Sequence, residues 1–494
     1  MNGHGPTITR RRFLRDAGIG ALGLAGSGAI GVAVVEALGS RPLGPPLTPH
    51  WHSRPDLRIP ALTVTRSERG ASGEAIFMAP YNKLNAQAGA VIADHRGEAI
   101  YEQPLAGKVT TNFRVQRYLG SPVLTWWEGV IELGHGVGEY VIADSSYRTI
   151  RRVQAANGLR GDLHEFVITG RDTALLTSYV VTKANLSSVG GSRHGTIQDA
   201  IFQEIDLATG KLLLEWHSLG KVALEESYSP VSTDWDFFHI NSVDLDWDGN
   251  LLVSSRSNHT VYKVGRRSGE ILWRLGGKRS DFEIGPGANF AWQHDVRRRP
   301  DGSMTVFDNG ATPAVEQRSR GLILDVDEAR MKASLTASYE HRGVLAGSQG
   351  SIQLLGGGNV FVGWGEIPRV TEFDRGGRIV FDALLGREYE SYRAFRQPWT
   401  GLPAEAPAIA VRGTDRAATV YASWNGATEV DRWQVLAGES EGALRPVATA
   451  RAGGFETTIS SPDPGPRFAV AALDRSGNVI GRSGEQLAGG VSST

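Results

Sequence analysis

Three histidines, His164, His239 and His294, are the residues of this 494-residue chain whose spacing most suggests chemistry. Asn241 follows His239 by two positions, so both side chains share one face of an extended strand. Arg256 and Asn309 end the returning segments that follow His239 and His294. An imidazole with the ordinary pKa near 6.5 is mostly neutral at pH 7 and can attack an electrophile. A guanidinium offers a rigid fork of donors suited to tetrahedral oxyanions. Together these types suit transfer of a phosphoryl or sulfuryl group, whose charge spreads over three oxygens that fixed donors stabilise. No G-x-x-x-x-G-K-[ST] run is present to cradle a nucleotide donor. The donor is therefore expected to be a small ester, with a histidine as covalent relay and no cofactor. Two other readings stay open. The three histidines suit Zn or Fe with open positions, as in a metal-dependent hydrolase or oxygenase. The same ring also suits a non-catalytic module that binds sulfated or phenolic envelope molecules. Arg256 weighs against a metal, because a guanidinium beside a cation is repulsive.

Side chains so far apart in sequence need a fold that converges them. The runs Val91–Asp94, Val141–Asp144, Gln203–Asp206, Tyr262–Gly265, Leu324–Asp327 and Thr371–Asp374 repeat one pattern, an apolar strand leading into a polar turn. Their last positions, 94, 144, 206, 265, 327 and 374, recur at the period expected of β-propeller blades. A second hairpin lies in each interval, starting near Phe113, His164, His239, His294 and Gln349. Turns such as Asp248-Gly249-Asn250 and Asp301-Gly302-Ser303 join its strands. The last set is split: Ser391–Trp399 reads as a lone inner strand and Glu74–Tyr81 as its partner, so the two would close the ring. The expectation is an all-β chain with a six-bladed β-propeller over 60–400. Inner strands line the channel of such a ring, so the register predicts that His164, His239 and His294 meet at one mouth. Asp244–Gly249 reads as an ordinary turn rather than a Ca²⁺ loop, since Ser255 stands where the bidentate Glu would be. Trp126 and Trp127 read as packing between blades.

Residues 401–407 carry Pro403 and Pro407 and read as a linker. Short alternating strands follow over 408–487, among them Val420–Trp424, Trp433–Leu436 and Phe468–Leu473, and predict a small β-sandwich. It resembles a fibronectin type III domain. Residues 488–494 read as a flexible tail.

The N-terminus reads as an address. Thr9-Arg10-Arg11-Arg12-Phe13-Leu14-Arg15 fits the twin-arginine export pattern, and a Gly/Ala-rich stretch to Leu38 follows, broken only by Glu36. Residues 1–39 are thus expected to be a signal peptide recognised by the twin-arginine machinery, and 40–59 a linker. The mature chain would work outside the cytoplasm, extracellularly or in the cell envelope, without a stable membrane anchor after cleavage. Lys+Arg is 52 and Asp+Glu is 53, so there is no basic footprint for nucleic acid. The chain has no cysteine, which excludes disulfides, thiolate metal sites and a cysteine nucleophile.

Phe238-His239-Ile240-Asn241-Ser242-Val243-Asp244 resembles the H-x-N-S motif of the bacterial arylsulfotransferase family, which needs no nucleotide sulfate donor. Val253-Ser254-Ser255-Arg256, Trp273–Lys278 and Trp292-Gln293-His294-Asp295 extend the likeness, strongest over about 235–310. The resemblance implies a propeller that moves a sulfuryl group from an aryl sulfate to a phenol through a sulfohistidine. By it, His294 matches the nucleophile, and His239, Asn241 and Arg256 match the groups that hold sulfuryl oxygens. His164, in Asp162-Leu163-His164-Glu165, matches the histidine near the phenolic oxygen. Well-known members carry an N-terminal sandwich and a disulfide; here the sandwich is C-terminal and cysteine is absent.

Overall fold

The computed structural model describes residues 50–58, 62–82, 87–414, 417–462 and 465–489. The twin-arginine segment and the 490–494 part of the tail lie outside them. Among the described residues the regular structure is β-strand, with two single-turn 3₁₀ helices.

Six sheets, each built on four antiparallel strands, form the larger part. We number them as blades along the chain. Blade 1 is composite: Ala394–Gln397 pairs with Ala75–Met78, followed by Gly89–Ala93 and Ala99–Pro104. This is the pairing of the two lone strands read from the sequence, and it leaves no open edge in the ring. Blade 2 runs from Val109–Tyr118 to Thr149–Val153, blade 3 from Phe166–Ile168 to Leu212–His217, and blade 4 from Ile240–Leu245 to Ile271–Gly276. Blade 5 runs from His294–Arg298 to Lys332–Glu340, and blade 6 from Ser351–Leu354 to Ile379–Leu384. Thr63–Ser67 adds a fifth strand outside blade 6.

The apolar residues explain why the blades form a ring. A strand with both faces covered needs hydrophobic residues on both, and six clusters of buried side chains each join two neighbouring blades. Phe113 and Trp126 pack between blades 1 and 2, and Trp127, Tyr140 and Phe166 between blades 2 and 3. Phe202, Trp216, Phe238 and Tyr262 fill the space between blades 3 and 4. Trp273 and Met304 bridge blades 4 and 5, Phe307 and Trp364 blades 5 and 6, and Phe361, Phe381 and Ile76 blades 6 and 1. Trp126 and Trp127 are thus packing residues, each with its indole N–H bonded, to Glu128 and to the Gly161 carbonyl. The Asp248 and Asp301 carboxylates accept N–H bonds from Asn250 and Ser303, both at 3.0 Å, and fix the inner hairpin turns.

A polar axis replaces apolar packing at the centre. Glu165 of blade 3 is fully buried and meets Arg393 of blade 1 at 3.1 Å, Arg114 of blade 2 at 3.1 Å and Arg297 of blade 5 at 2.5 Å. Burial alone would raise the Glu165 pKa, but Arg297, Arg393 and Arg114 pull it down to about 2. Glu165→Gln is expected to cost about 3 kcal/mol or more, because it leaves buried guanidinium charge uncompensated. Chemical denaturation with and without the change measures it. The folded pKa lies below the roughly 4.3 of an unfolded Glu. The carboxylate's contribution is therefore complete above that pH and is lost as the pH falls toward 2.

The C-terminal segment forms two sheets around Trp424, Trp433, Val435 and Phe468. One holds Ala408–Thr414, Ala417–Ser423 and Glu456–Ser461; the other holds Arg445–Arg451, Arg432–Gly438, Arg467–Leu473, Val479–Arg482 and Gln486–Leu487. The segments read from the sequence as linkers are hydrogen-bonded to their surroundings where they are described. Leu402 and Ala404 N–H groups bond to the carbonyls of Ser145 and Ser146. Ser53 hydrogen-bonds to Glu456 through both its N–H and its hydroxyl. Asn425 pairs with the Glu102 backbone in both directions, at 2.9 and 2.8 Å, much as a neighbouring strand would.

Candidate active site

Counting back from the first cross-hairpin pair of each inner strand sets the register. Ile168 pairs with Ala174 and Arg298 with Met304. His164 and His294 each stand four residues before those positions. The same count from Leu245, which pairs with Leu251, reaches Asn241 and not His239. From Leu354, which pairs with Val360, it reaches Gly350 and not Gln349. The expected register of three histidines is therefore corrected: Asn241 occupies the third place. His239 lies two residues earlier on a left-handed backbone, φ +51°, beside a break in the strand ladder. Phe113 belongs to the packing between blades 1 and 2.

The histidines nevertheless converge. Ring centroids of His164 and His239 are 4.8 Å apart, and those of His239 and His294 6.4 Å. A fourth imidazole, His135, lies 5.3 Å from His239 and 5.8 Å from His164. It begins the third strand of blade 2, is 4% exposed, and stacks on Tyr179 at 3.7 Å. Tyr392 presents its ring edgewise to both His164 and His294.

Hydrogen-bond partners fix most of the ring nitrogens. His164 Nδ1 lies 2.7 Å from Asp162 Oδ2. That carboxylate also accepts from the His164 and Gly136 backbone N–H groups and the Thr177 hydroxyl. Burial pushes Asp162 up, but His164, His135 and the Gly136 N–H together hold it well below the usual carboxylate range. Nδ1 of His164 therefore carries the hydrogen, and Nε2 is left for chemistry. His239 repeats this with Asp236 Oδ2 at 2.5 Å. Burial outweighs Asp236 and brings His239 down to about 4, so this pair rests as carboxylate and neutral imidazole.

His294 is 1% exposed. Asn309 donates from Nδ2 to the carbonyls of Ala346 and Gln349, which turns its Oδ1 toward His294 Nδ1 at 2.7 Å. His294 Nδ1 thus carries the hydrogen, and Nε2 accepts one long bond, 3.2 Å, from the Gln349 N–H. Burial, then the charge of Arg256, hold His294 well below the ordinary imidazole value. It is a neutral base with its lone pair on Nε2.

Arg256 follows the strand Leu251–Ser255, and its N–H bonds to the His239 carbonyl. Its guanidinium lies over Trp292 at 4.9 Å and donates to the Gly347 carbonyl at 3.0 Å. Nε has no partner, and among the described residues no carboxylate lies within ion-pair distance of it. Burial lowers its pKa, and the nearby charges of Asp236 and Glu366 only partly offset this. Asn241 donates to the Gln293 carbonyl at 2.6 Å, which ties blade 4 to the residue before His294. Its Oδ1 is buried without a partner. Its backbone carbonyl accepts from Arg393, so the polar axis supports the site from below.

The structure thus gathers all five expected residues, His164, His239, Asn241, Arg256 and His294. Sequence reasoning missed His135, Asp162 and Asp236 as members. The spacings Asp162-x-His164 and Asp236-x-x-His239 were signals for two of them, since a carboxylate so near in sequence reaches Nδ1. His135 follows a Leu133-Gly134 turn and carried no such signal.

A model of the arylsulfotransferase (ASST) family matches residues 114–386, more than half of the chain and all of these side chains. No curated protein matches the chain. Among solved structures, a protein of unknown function from Bacteroides caccae is similar at 11% identity and TM-score 0.41, over 65% of this chain and 98% of that one. A virginiamycin B lyase from Staphylococcus aureus is similar at 10% identity and TM-score 0.34, over 74% of this chain and 97% of that one. Likeness at this level concerns the course of the chain and not its chemistry.

Proposed function

The chain belongs to the arylsulfotransferase (ASST) family, and from that premise we propose that it moves a sulfuryl group from an aryl sulfate ester to a phenol through a sulfohistidine at His294. The observation that carries this reading is the Arg256 guanidinium, held over Trp292 two residues before His294 and without a carboxylate partner among the described residues, whose charge helps keep the His294 imidazole neutral. A largely desolvated cation without a counter-ion favours an anionic ligand. A sulfate ester supplies one charge and three terminal oxygens.

In the first half-reaction the His294 Nε2 lone pair forms the N–S bond as the S–O bond to the aryl group breaks, and the electron pair leaves with the aryl oxygen. His164 Nε2 gives that oxygen its proton, while Asp162 holds Nδ1–H and stabilises the charged ring. In the second half the acceptor phenol returns a proton to His164, and its oxygen attacks sulfur and releases His294. Arg256 and the remaining Asn241 N–H hold sulfuryl oxygens. His239 joins them as a donor once an anion arrives, because negative charge at Nε2 favours its imidazolium. The test is mass spectrometry after exposure to an aryl sulfate and no acceptor. A sulfuryl adduct on a histidine is expected; neither adduct nor transfer to phenol would leave a binding module.

Export belongs to the same proposal, because Arg10 and Arg11 precede a mildly apolar Gly/Ala stretch. Changing both to Lys is expected to retain precursor in the cytoplasm, as read by fractionation. Undiminished export would remove the assignment.

A further inference from the structure

We propose that His135, His164 and His239 form a binding site for a divalent transition-metal ion of the Zn²⁺ class, and that occupancy of this site blocks sulfuryl transfer. Its binding half rests on geometry alone; its inhibitory half rests on the function proposed above.

The trio differs from the three inner-strand histidines that the sequence suggested, with His135 in place of His294. One ligand atom from each ring lies within 4.8 Å of those of the other two. Three atoms so placed leave a point no farther than about 2.8 Å from each, and a Zn–N bond of about 2.0–2.1 Å needs only ~0.7 Å of inward movement per ring. Two rings are already set for ligation. Asp162 and Asp236 hold the Nδ1 atoms of His164 and His239, so each presents Nε2, the carboxylate–histidine arrangement that orients metal ligands.

His135 is the independent observation. It is buried, and its Nδ1 has no hydrogen-bond partner. Its Nε2 lies 3.3 Å from Asp236 Oδ2 but outside hydrogen-bonding geometry. A buried polar atom left unpaired costs free energy, and a bound ion removes that cost. Imidazole ligands with a carboxylate close by favour Zn²⁺, Co²⁺ or Cu²⁺ over Mg²⁺ or Ca²⁺. Arg256 does not exclude the ion, because its guanidinium is held over the Trp292 ring and by the Gly347 carbonyl, and the Asp236 carboxylate that faces His135 and His239 offsets its charge. A metal on His164 Nε2 and His239 Nε2 removes the proton carrier and one sulfuryl contact, so metal and aryl sulfate compete.

Tag-free, EDTA-treated full-length protein is titrated with Zn²⁺ by equilibrium dialysis and with Co²⁺ by visible absorption. One tight equivalent is expected, with a Co²⁺ spectrum of low coordination number. His135→Phe, which keeps the ring stacked on Tyr179, is expected to weaken binding more than tenfold. Asp236→Asn should weaken it about 10–100-fold, and His294→Asn should leave it intact. Transfer from a chromogenic aryl sulfate, scaled to each variant's own metal-free rate, should fall with Zn²⁺ in the wild type and recover with chelator. His135→Phe should need more than tenfold higher Zn²⁺. Absence of a tight equivalent in the wild type overturns the site, whatever the variants do. Binding unchanged in a folded His135→Phe, or in His135→Gln if the first does not fold, overturns the ligand set. A tight equivalent without inhibition overturns the regulatory half. An intact Co²⁺ site in a protein that transfers no sulfuryl group overturns the function proposed above and leaves the metal site standing.

Discussion

His294→Asn is expected to abolish the histidine–sulfuryl adduct and to lower transfer by more than about 10⁴-fold. Loss of general acid–base help alone costs typically 10²–10⁴, and here the covalent path itself disappears. Asparagine keeps a polar side chain of similar reach but has no basic nitrogen lone pair. It can still meet Asn309 and the Gln349 N–H, two of the three partners of the native ring, so the fold should survive. Trapping with an aryl sulfate followed by peptide mass spectrometry reads the result, with melting temperature as the control. An adduct that persists on another histidine overturns the assignment. His239 is then the first candidate, because Asp236 supports the charge an imidazole acquires when sulfur bonds to Nε2, and His164 the second.

The ring was readable from the sequence because each inter-blade layer demands apolar residues on both sides of each strand, and the polar turns between strands interrupt that pattern at regular intervals. Even the closing strands around Phe77 and Phe395 carried the signal, and they pair directly in the fold. The site was readable only where chemistry follows local sequence. His164, His239, Asn241, Arg256 and His294 were found from inner-strand position and motif. Register failed at His239, which stands two residues before the position that His164 and His294 occupy on their strands; the length of chain leading into an inner strand leaves no mark on hydrophobic periodicity. His135 was hidden for another reason: it lies at the start of a third strand, which approaches the channel mouth only because the hairpin Ser121–Glu132 and His135–Ala143 is long. The central ion network was also out of reach, since Glu165, Arg114, Arg297 and Arg393 come from four blades and nothing local pairs them.

Arg256 is expected to show opposite signs in activity and stability. Its guanidinium is poorly solvated, lacks a carboxylate partner among the described residues, and is held by one carbonyl bond and the Trp292 ring. Such a charge is not there for the fold, because replacing buried ionic groups by apolar residues of like volume is often neutral or stabilising. Arg256→Met should therefore leave the melting temperature unchanged or raised. The same change should lower kcat for aryl sulfate transfer by about 10²–10³, the usual loss when a fixed donor to a developing oxyanion is removed. Arg256→Lys should fall between the two. It keeps one charge but cannot bond to the Gly347 carbonyl, lie flat on Trp292 and donate to two sulfuryl oxygens at once. Its deficit should appear in kcat more than in KM, since the missing bonds tighten as charge gathers on the transferring group. Thermal melts and steady-state kinetics on both variants are sufficient. If Arg256→Met melts well below the wild type while kcat stays within tenfold, Arg256 is a structural cation, and the anion-binding role that supports sulfuryl transfer is lost with it.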